Sequence, residues 1–134
     1  MFTRPSAYDA AVRRSKMTPI QKINAERKRQ IDVEGWTSEH DDTHDQGEML
    51  HAAMLYYAFA KLGPDDMTLR ADGAPIGWPW DASCWKPKDR ERNLVRAGAL
   101  CLAERDRLRR IKGSYRHIDQ KLALIVEALA SQRT

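Results

Sequence analysis

Apolar residues recur at helical spacing along four stretches of the chain, and no convincing strand pattern stands beside them. The first stretch opens on Thr18 as N-cap, with Pro19 at the first helical position and Gln21 completing a capping box. Ile20, Ile23, Arg27 and Ile31 then share one stripe, Lys22, Glu26, Lys28 and Arg29 make up the remaining face, and Gly35 suits the C-terminal end. The second predicted helix opens between Asp42 and His44 and runs to about Leu62, where Gly63-Pro64 stops it. From Met49 to Phe59 it is apolar on most faces, the pattern of a central helix or of one shared between copies of the chain, so a homo-oligomer is expected. The third covers about Lys88 to Lys112, with Leu94, Val95, Gly98, Leu102 and Leu108 on its core stripe. Ala97, Gly98, Ala99 and Ala103 would let a neighbouring helix approach closely. After Gly113, Ser114 is expected to cap a fourth helix marked by Tyr115, Ile118, Leu122, Ile125, Val126 and Leu129.

Between the second and third helices, Pro64 to Pro87 is long and rich in turn signals, with room for a short hairpin around Thr68 to Ile76. It holds Trp78, Trp80 and Trp85, which argue for packing against the helices rather than free movement. The expectation is an all-α fold, roughly a four-helix bundle with a Trp-rich irregular connection. Residues 1–17, with Arg4, Arg13, Arg14 and Lys16, read as a basic N-terminal arm, and residues 18–134 as a single helical domain.

Composition narrows this picture. The chain has 134 residues, 42% hydrophobic and 31% charged, which suits one globular domain and excludes wholesale disorder. No apolar run approaches the ~20 residues that span a bilayer, and the N-terminus has no apolar secretory core. Cys84 and Cys101 lack CxxC spacing and read as reduced thiols, so a cytoplasmic location, away from membranes, is expected. The net charge of +4 is unevenly spread. Every charge from Asp32 to Glu48 is acidic, whereas basic residues dominate from Lys86 to Arg116. The two blocks would either neutralise each other across the fold or face a metal and a phosphate together.

Three constellations carry chemistry. In the first, His44, Glu48 and His51 would share a helical face, and Asp41, Asp45 and Glu48 would line up if the helix begins early. Asp41, His44, Asp45 and Glu48 are therefore the candidate ligands for Mg²⁺ or Mn²⁺. The same acids would also simply stabilise a helix N-terminus. His40-Asp41 matches the dipeptide of HD-type phosphohydrolases, but those need a further upstream His and none precedes His40. In the second, Trp78, Trp80 and Trp85 beside Lys86 and Lys88 would stack a base and hold a phosphate, or would close the open end of the bundle, and Arg27, Trp36, Arg92 and Arg96 join them as ligand-binding candidates. In the third, the basic run Arg105 to Lys112 has the charge to attract nucleic acid, although no nucleic-acid-reading motif accompanies it. Ser83-Cys84 lies in no nucleophile motif.

Ile23 to Gln30, Gly35-Trp36-Thr37, Glu39-His40-Asp41-Asp42, His44, Gly47-Glu48, Trp78-Pro79-Trp80-Asp81, Trp85-Lys86-Pro87 and Leu94 to Leu100 together resemble a family of small bacteriophage and prophage proteins with no settled activity. The resemblance covers about residues 20 to 110. More distantly, the order of these segments is similar to phage MazG-like proteins, which are all-α nucleoside triphosphate pyrophosphohydrolases. That similarity implies Mg²⁺ held by a Glu-x-x-Glu pair and a later Glu-x-x-Asp pair. Here Asp45 and Glu48 approximate the first pair, while the second would fall near Asn93 and Arg96, which offer no carboxylate.

Two functions follow as expectations. The favoured one is a phage accessory protein of the counter-defence type, which binds a host protein or a nucleotide-type small molecule without catalysis. The alternative is a Mg- or Mn-dependent nucleotide pyrophosphohydrolase of the MazG-like type.

Overall fold

The computed structural model describes residues 16–131, and over these the chain is all-α. The helices are α1 (Pro19–Asp32), α2 (Ser38–Asp42), α3 (Glu48–Leu62), α4 (Arg90–Arg110) and α5 (Arg116–Ala130), with short 3₁₀ turns at Pro64–Asp66 and Ala82–Cys84. Most of the basic arm expected at residues 1–17 lies outside the described residues. Among the described residues, no helix is long and apolar enough to cross a membrane.

The fold is organised around α4, which packs against each of the other four helices. Asp89 caps its start by accepting the Arg92 N–H at 2.8 Å. Every residue from Asn93 to Glu104 is buried, so this helix is enclosed on all sides rather than amphipathic. Its small residues make that possible. A Cβ placed on Gly98 would lie 2.6 Å from Cδ1 and 2.7 Å from Cγ1 of Ile23.

The capping box of α1 forms as expected, with Thr18 Oγ1 accepting from the Gln21 N–H at 3.2 Å and Gln21 Oε1 from the Thr18 N–H at 2.9 Å. Its inward face differs from the predicted isoleucine stripe. Ile20 and Ile31 are 45% and 38% exposed, while Ile23, Glu26, Arg27 and Gln30 are buried. These four also lie at helical spacing, and the polar three are tolerated because ion pairs and hydrogen bonds engage them.

The predicted second helix starts later than expected, at Glu48, and the polar stretch before it carries a short helix of its own. Thr37 caps α2, accepting the His40 N–H at 3.3 Å, and Gly47, with a left-handed φ of 78°, precedes α3. The backbone therefore turns between Asp42 and Glu48, and the helical alignment expected across His44, Glu48 and His51 is broken there. In α3, Met49, Ala52, Ala53 and Tyr56 are buried. Leu50, Met54, Leu55 and Tyr57 pack partly buried against the same core. Much of the apolar surface that suggested a partner copy is thus covered within the chain.

The Trp-rich connection is packed down, as its composition implied. Its hairpin is a single antiparallel bridge between Leu69 and Pro75. Trp85 stacks on Tyr56 of α3 at 4.6 Å between ring centres, and Trp78 meets both rings edge-on. Two polar clamps fix the returning chain. Tyr56 Oη accepts the Lys86 N–H at 3.0 Å. The Asn93 amide takes both backbone groups of Lys88, at 2.8 and 3.0 Å. At the far end of α4 it is Lys112, rather than Gly113, that adopts the left-handed conformation (φ 57°), and the Gly113 N–H closes on the Leu108 carbonyl at 2.8 Å.

Two stability measurements test these contacts. Gly98→Ala gains helix propensity of up to ~1 kcal/mol but overpacks the α1–α4 contact at a cost of about 1–3 kcal/mol, so its urea midpoint is expected to fall. Adding Ile23→Val should recover part of that loss, although Ile23→Val alone costs about 0.5–1.5 kcal/mol. Lys112→Gly relieves left-handed strain worth about 1–2 kcal/mol and should raise the midpoint after the entropic cost of glycine is subtracted.

Candidate functional site

The burial of a polar α1 face against α4 leaves a two-lobed cleft beside it. The deeper lobe has a volume of about 310 Å³, at the lower bound of ~300 Å³ typical of small-ligand pockets. Glu26, Arg29 and Gln30 of α1 line one side, Arg96 and Leu100 of α4 form another, and Tyr56, Cys84 and Lys86 close it from the connection side. The shallower lobe, about 190 Å³, is lined by Trp36, His40, Asp41, His44, Met49 and Trp80. Trp36, Cys84 and Leu100 belong to both lobes, so the two adjoin.

The lobes differ in chemistry. In the shallower one, Trp36 lies nearly parallel to His40, with ring centres 6.2 Å apart. Trp80 meets Trp36 at 6.3 Å and His44 at 5.0 Å. This is an aromatic recess with π faces and few charges. The deeper lobe is ionic. Glu26 is buried and accepts from Arg29 Nε at 2.8 Å, Arg29 Nη2 at 2.9 Å and Arg92 Nη2 at 2.7 Å. Burial pushes its carboxyl up, but these hydrogen bonds outweigh burial and hold it below the ordinary 4.5. Arg29 also reaches Glu34 at 3.1 Å. Its pKa is pushed up, chiefly by the hydrogen bonds to Glu26, so it stays charged.

Arg96 differs from these arginines. It is 8% exposed, its Nη1 has no hydrogen-bond partner, and among the described residues no carboxylate pairs with it. It stands beside the Tyr56 hydroxyl, whose pKa burial pushes up. Gln30, 2% exposed, gives its Nε2 to Glu26 at 3.3 Å and leaves Oε1 without a donor. Buried polar atoms are paired as a rule, so a donor and an acceptor without protein partners in one lobe leave it able to take up further polar groups.

The residues singled out from sequence divide accordingly. Trp36, Trp80 and Arg96 line the cleft. Trp78 and Trp85 instead pack on Tyr56, and the Trp78 indole N–H is spent on the Asp81 carbonyl at 3.0 Å. Arg27 holds Asp41 at 2.8 Å and Arg92 holds Glu26, so both arginines are engaged inside the protein. The four candidate metal ligands do not converge. Asp41 is committed to Arg27, Asp45 is exposed beside Gln46, and only His44 and Glu48 approach each other, at 3.4 Å. Among the described residues, no three His, Cys, Asp or Glu side chains gather as a metal site. The set therefore does not fit the Mg²⁺ or Mn²⁺ that the MazG-like resemblance implies. The basic run is largely spent internally, with Arg107 on Glu104 at 2.6 Å, Arg110 on Asp42 at 2.7 Å and Arg105 on Asp119 at 3.2 Å.

Sequence reasoning missed Gln30, Arg29 and Cys84, which line the cleft. The available signal was the helical spacing of Glu26, Arg29 and Gln30, which the isoleucine stripe obscured. Cys101 is buried and its thiol is pushed up to about 12 by burial, whereas Cys84 is exposed at the junction of the lobes. Comparison with known protein families, curated proteins and solved structures finds no match to this chain.

Glu26 gives the cleft a pH signature. Because its folded pKa lies below its ordinary value, its stabilisation is present above about pH 4.5 and is lost as pH falls through the folded pKa. Glu26→Gln should cost about 1.5–3 kcal/mol at neutral pH, the worth of hydrogen bonds to a charged group. The difference from the parent should shrink towards about pH 3 in urea titrations.

Proposed function

We propose that the protein is a non-catalytic binding module for a small nucleotide-type anion, seated with its base in the aromatic lobe and its phosphate at Arg96. The observation that carries this reading is the buried Arg96 guanidinium, whose Nη1 has no partner and which lines the deeper lobe. A buried, unpaired cation is costly to a fold, and an arriving phosphate oxygen would relieve that cost with a charge-assisted hydrogen bond. Gln30 Oε1 would accept a ribose hydroxyl between the two lobes. Trp36 and Trp80 supply stacking surfaces, worth about 1–3 kcal/mol per base.

Charge favours a short phosphate chain. The deeper lobe sets Arg29, Lys86 and Arg96 against Glu26 and Glu34, a balance of one positive charge. That suits a nucleoside monophosphate better than a triphosphate. The carboxylates of the cleft are held by arginines, Glu26 and Glu34 by Arg29 and Asp41 by Arg27, which supports binding over metal-assisted hydrolysis. The resemblance to phage proteins supports an accessory role, in which capture of a nucleotide signal from the host cell would be the function.

Isothermal titration calorimetry with nucleoside monophosphates tests this reading. The parent protein is expected to bind, and Arg96→Met to lose at least about tenfold in affinity. The same variant should unfold at an equal or higher urea concentration, since a buried charge is replaced by an apolar chain of similar length. No heat with any nucleotide would overturn the binding reading. Release of phosphate or pyrophosphate from nucleoside triphosphates in Mg²⁺ or Mn²⁺ would overturn its non-catalytic part.

A further inference from the structure

We propose that the aromatic lobe reads the edge of the base through Asp41, and that it selects bases with an exocyclic amino group (guanine, adenine, cytosine) over hypoxanthine, uracil and thymine. This rests on the nucleotide reading above and names the class of ligand for the same site.

Asp41 is 1% exposed and lines the lobe. Its Oδ2 is held by Arg27 Nη2 at 2.8 Å, while its Oδ1 has no hydrogen-bond partner. The nearest ring nitrogen on α2, His40 Nδ1, stands 3.6 Å from Oδ1, beyond hydrogen-bond distance. A second unsatisfied atom of opposite sense lines the same lobe, the buried Nε1 of Trp80, a donor without an acceptor. The lobe that Trp36 and Trp80 line thus holds one carboxylate oxygen in need of an N–H and one N–H in need of an acceptor. The edge of a nucleobase offers that combination.

The negative charge on the acceptor decides which base. In uracil and thymine the ring N–H lies between two carbonyls, and in hypoxanthine it lies beside one. Presenting those donors to a carboxylate brings carbonyl oxygens against its charge. Guanine places an amino group next to its ring N–H, so two donors lie side by side. In adenine and cytosine one amino hydrogen points away from the neighbouring ring acceptor. In each of the three, a ring nitrogen or carbonyl on the same base remains to accept from Trp80. Arg27 holds one oxygen of Asp41 and so fixes which oxygen is presented; the residue acts as a preset acceptor.

The test compares nucleotides that differ at the amino group, GMP with IMP and CMP with UMP, by calorimetry on the full chain. The amino-bearing member of each pair should bind roughly ten- to a hundredfold more tightly, the worth of one hydrogen bond to a charged acceptor. Asp41→Asn should level the two pairs. Trp80→Phe, which leaves the Arg27–Asp41 ion pair intact, should weaken all four while keeping their order, so the proposal remains testable if Asp41→Asn does not fold. Equal affinity within each pair, or a preference for IMP and UMP, overturns the role of Asp41 and leaves the nucleotide reading standing. Binding of none of the four overturns both.

Discussion

The distance between α1 and α4 is set at one place, where Ile23 lies against the bare backbone of Gly98. With the helices that close, arginines projecting from α4 can meet acids on α1. Arg92 reaches across to Glu26, and Lys22 reaches back to Glu91 at 2.5 Å. The interface is therefore closed by shape at its centre and by charge along its length. This matters because the buried face of α1 is mostly polar. Glu26, Arg27 and Gln30 could not stay inside without partners held at fixed reach.

The same closeness accounts for what is left over. Each of the other arginines facing this interior has an acid within reach: Arg29 has Glu26 and Glu34, Arg27 has Asp41, and Arg92 has Glu26. Arg96 sits one turn further along α4, where the facing helix offers Gln30 instead. A cation without a carboxylate partner, lining a cleft that adjoins an aromatic recess, carries the case for an anionic, ring-bearing ligand. Arg105, Arg107 and Arg110 further along α4, by contrast, have carboxylate partners, at Asp119, Glu104 and Asp42.

Much of the fold could be read from the sequence, because helix ends and helical periods are local properties. Thr18-Pro19-Ile20-Gln21 capped as written, and Gly63-Pro64 ended a helix where expected. The all-α architecture and the packed tryptophan connection follow from such signals. The late start of α3 and the short α2 ahead of it were harder to see, since Gly47 stands in an acidic stretch that also reads as a helix start. The rotation of α1 was hidden because three isoleucines promised an apolar stripe, whereas the surface they faced depended on charges some 65 residues later, such as Arg92. The site was partly legible. Trp36, Trp80 and Arg96 line the cleft, whereas Arg27, Arg92, Trp78 and Trp85 are the same residue types in different surroundings. Only the partner of each side chain separates them, and partners are a property of the folded chain.

The division of the four tryptophans has an optical consequence. Trp78 and Trp85 lie 5.0 Å apart, centre to centre, and both touch Tyr56. Their transition dipoles are close enough to couple, so this pair should dominate the near-ultraviolet circular dichroism and vanish when the connection detaches from α3. Trp80 links this pair to the cleft, with its ring centre 5.5 Å from Trp78 and 6.3 Å from Trp36, so an event in the recess would also reach the coupled pair. The four indoles thus form one continuous chain from core to recess, an intrinsic signal that reports on both without any label.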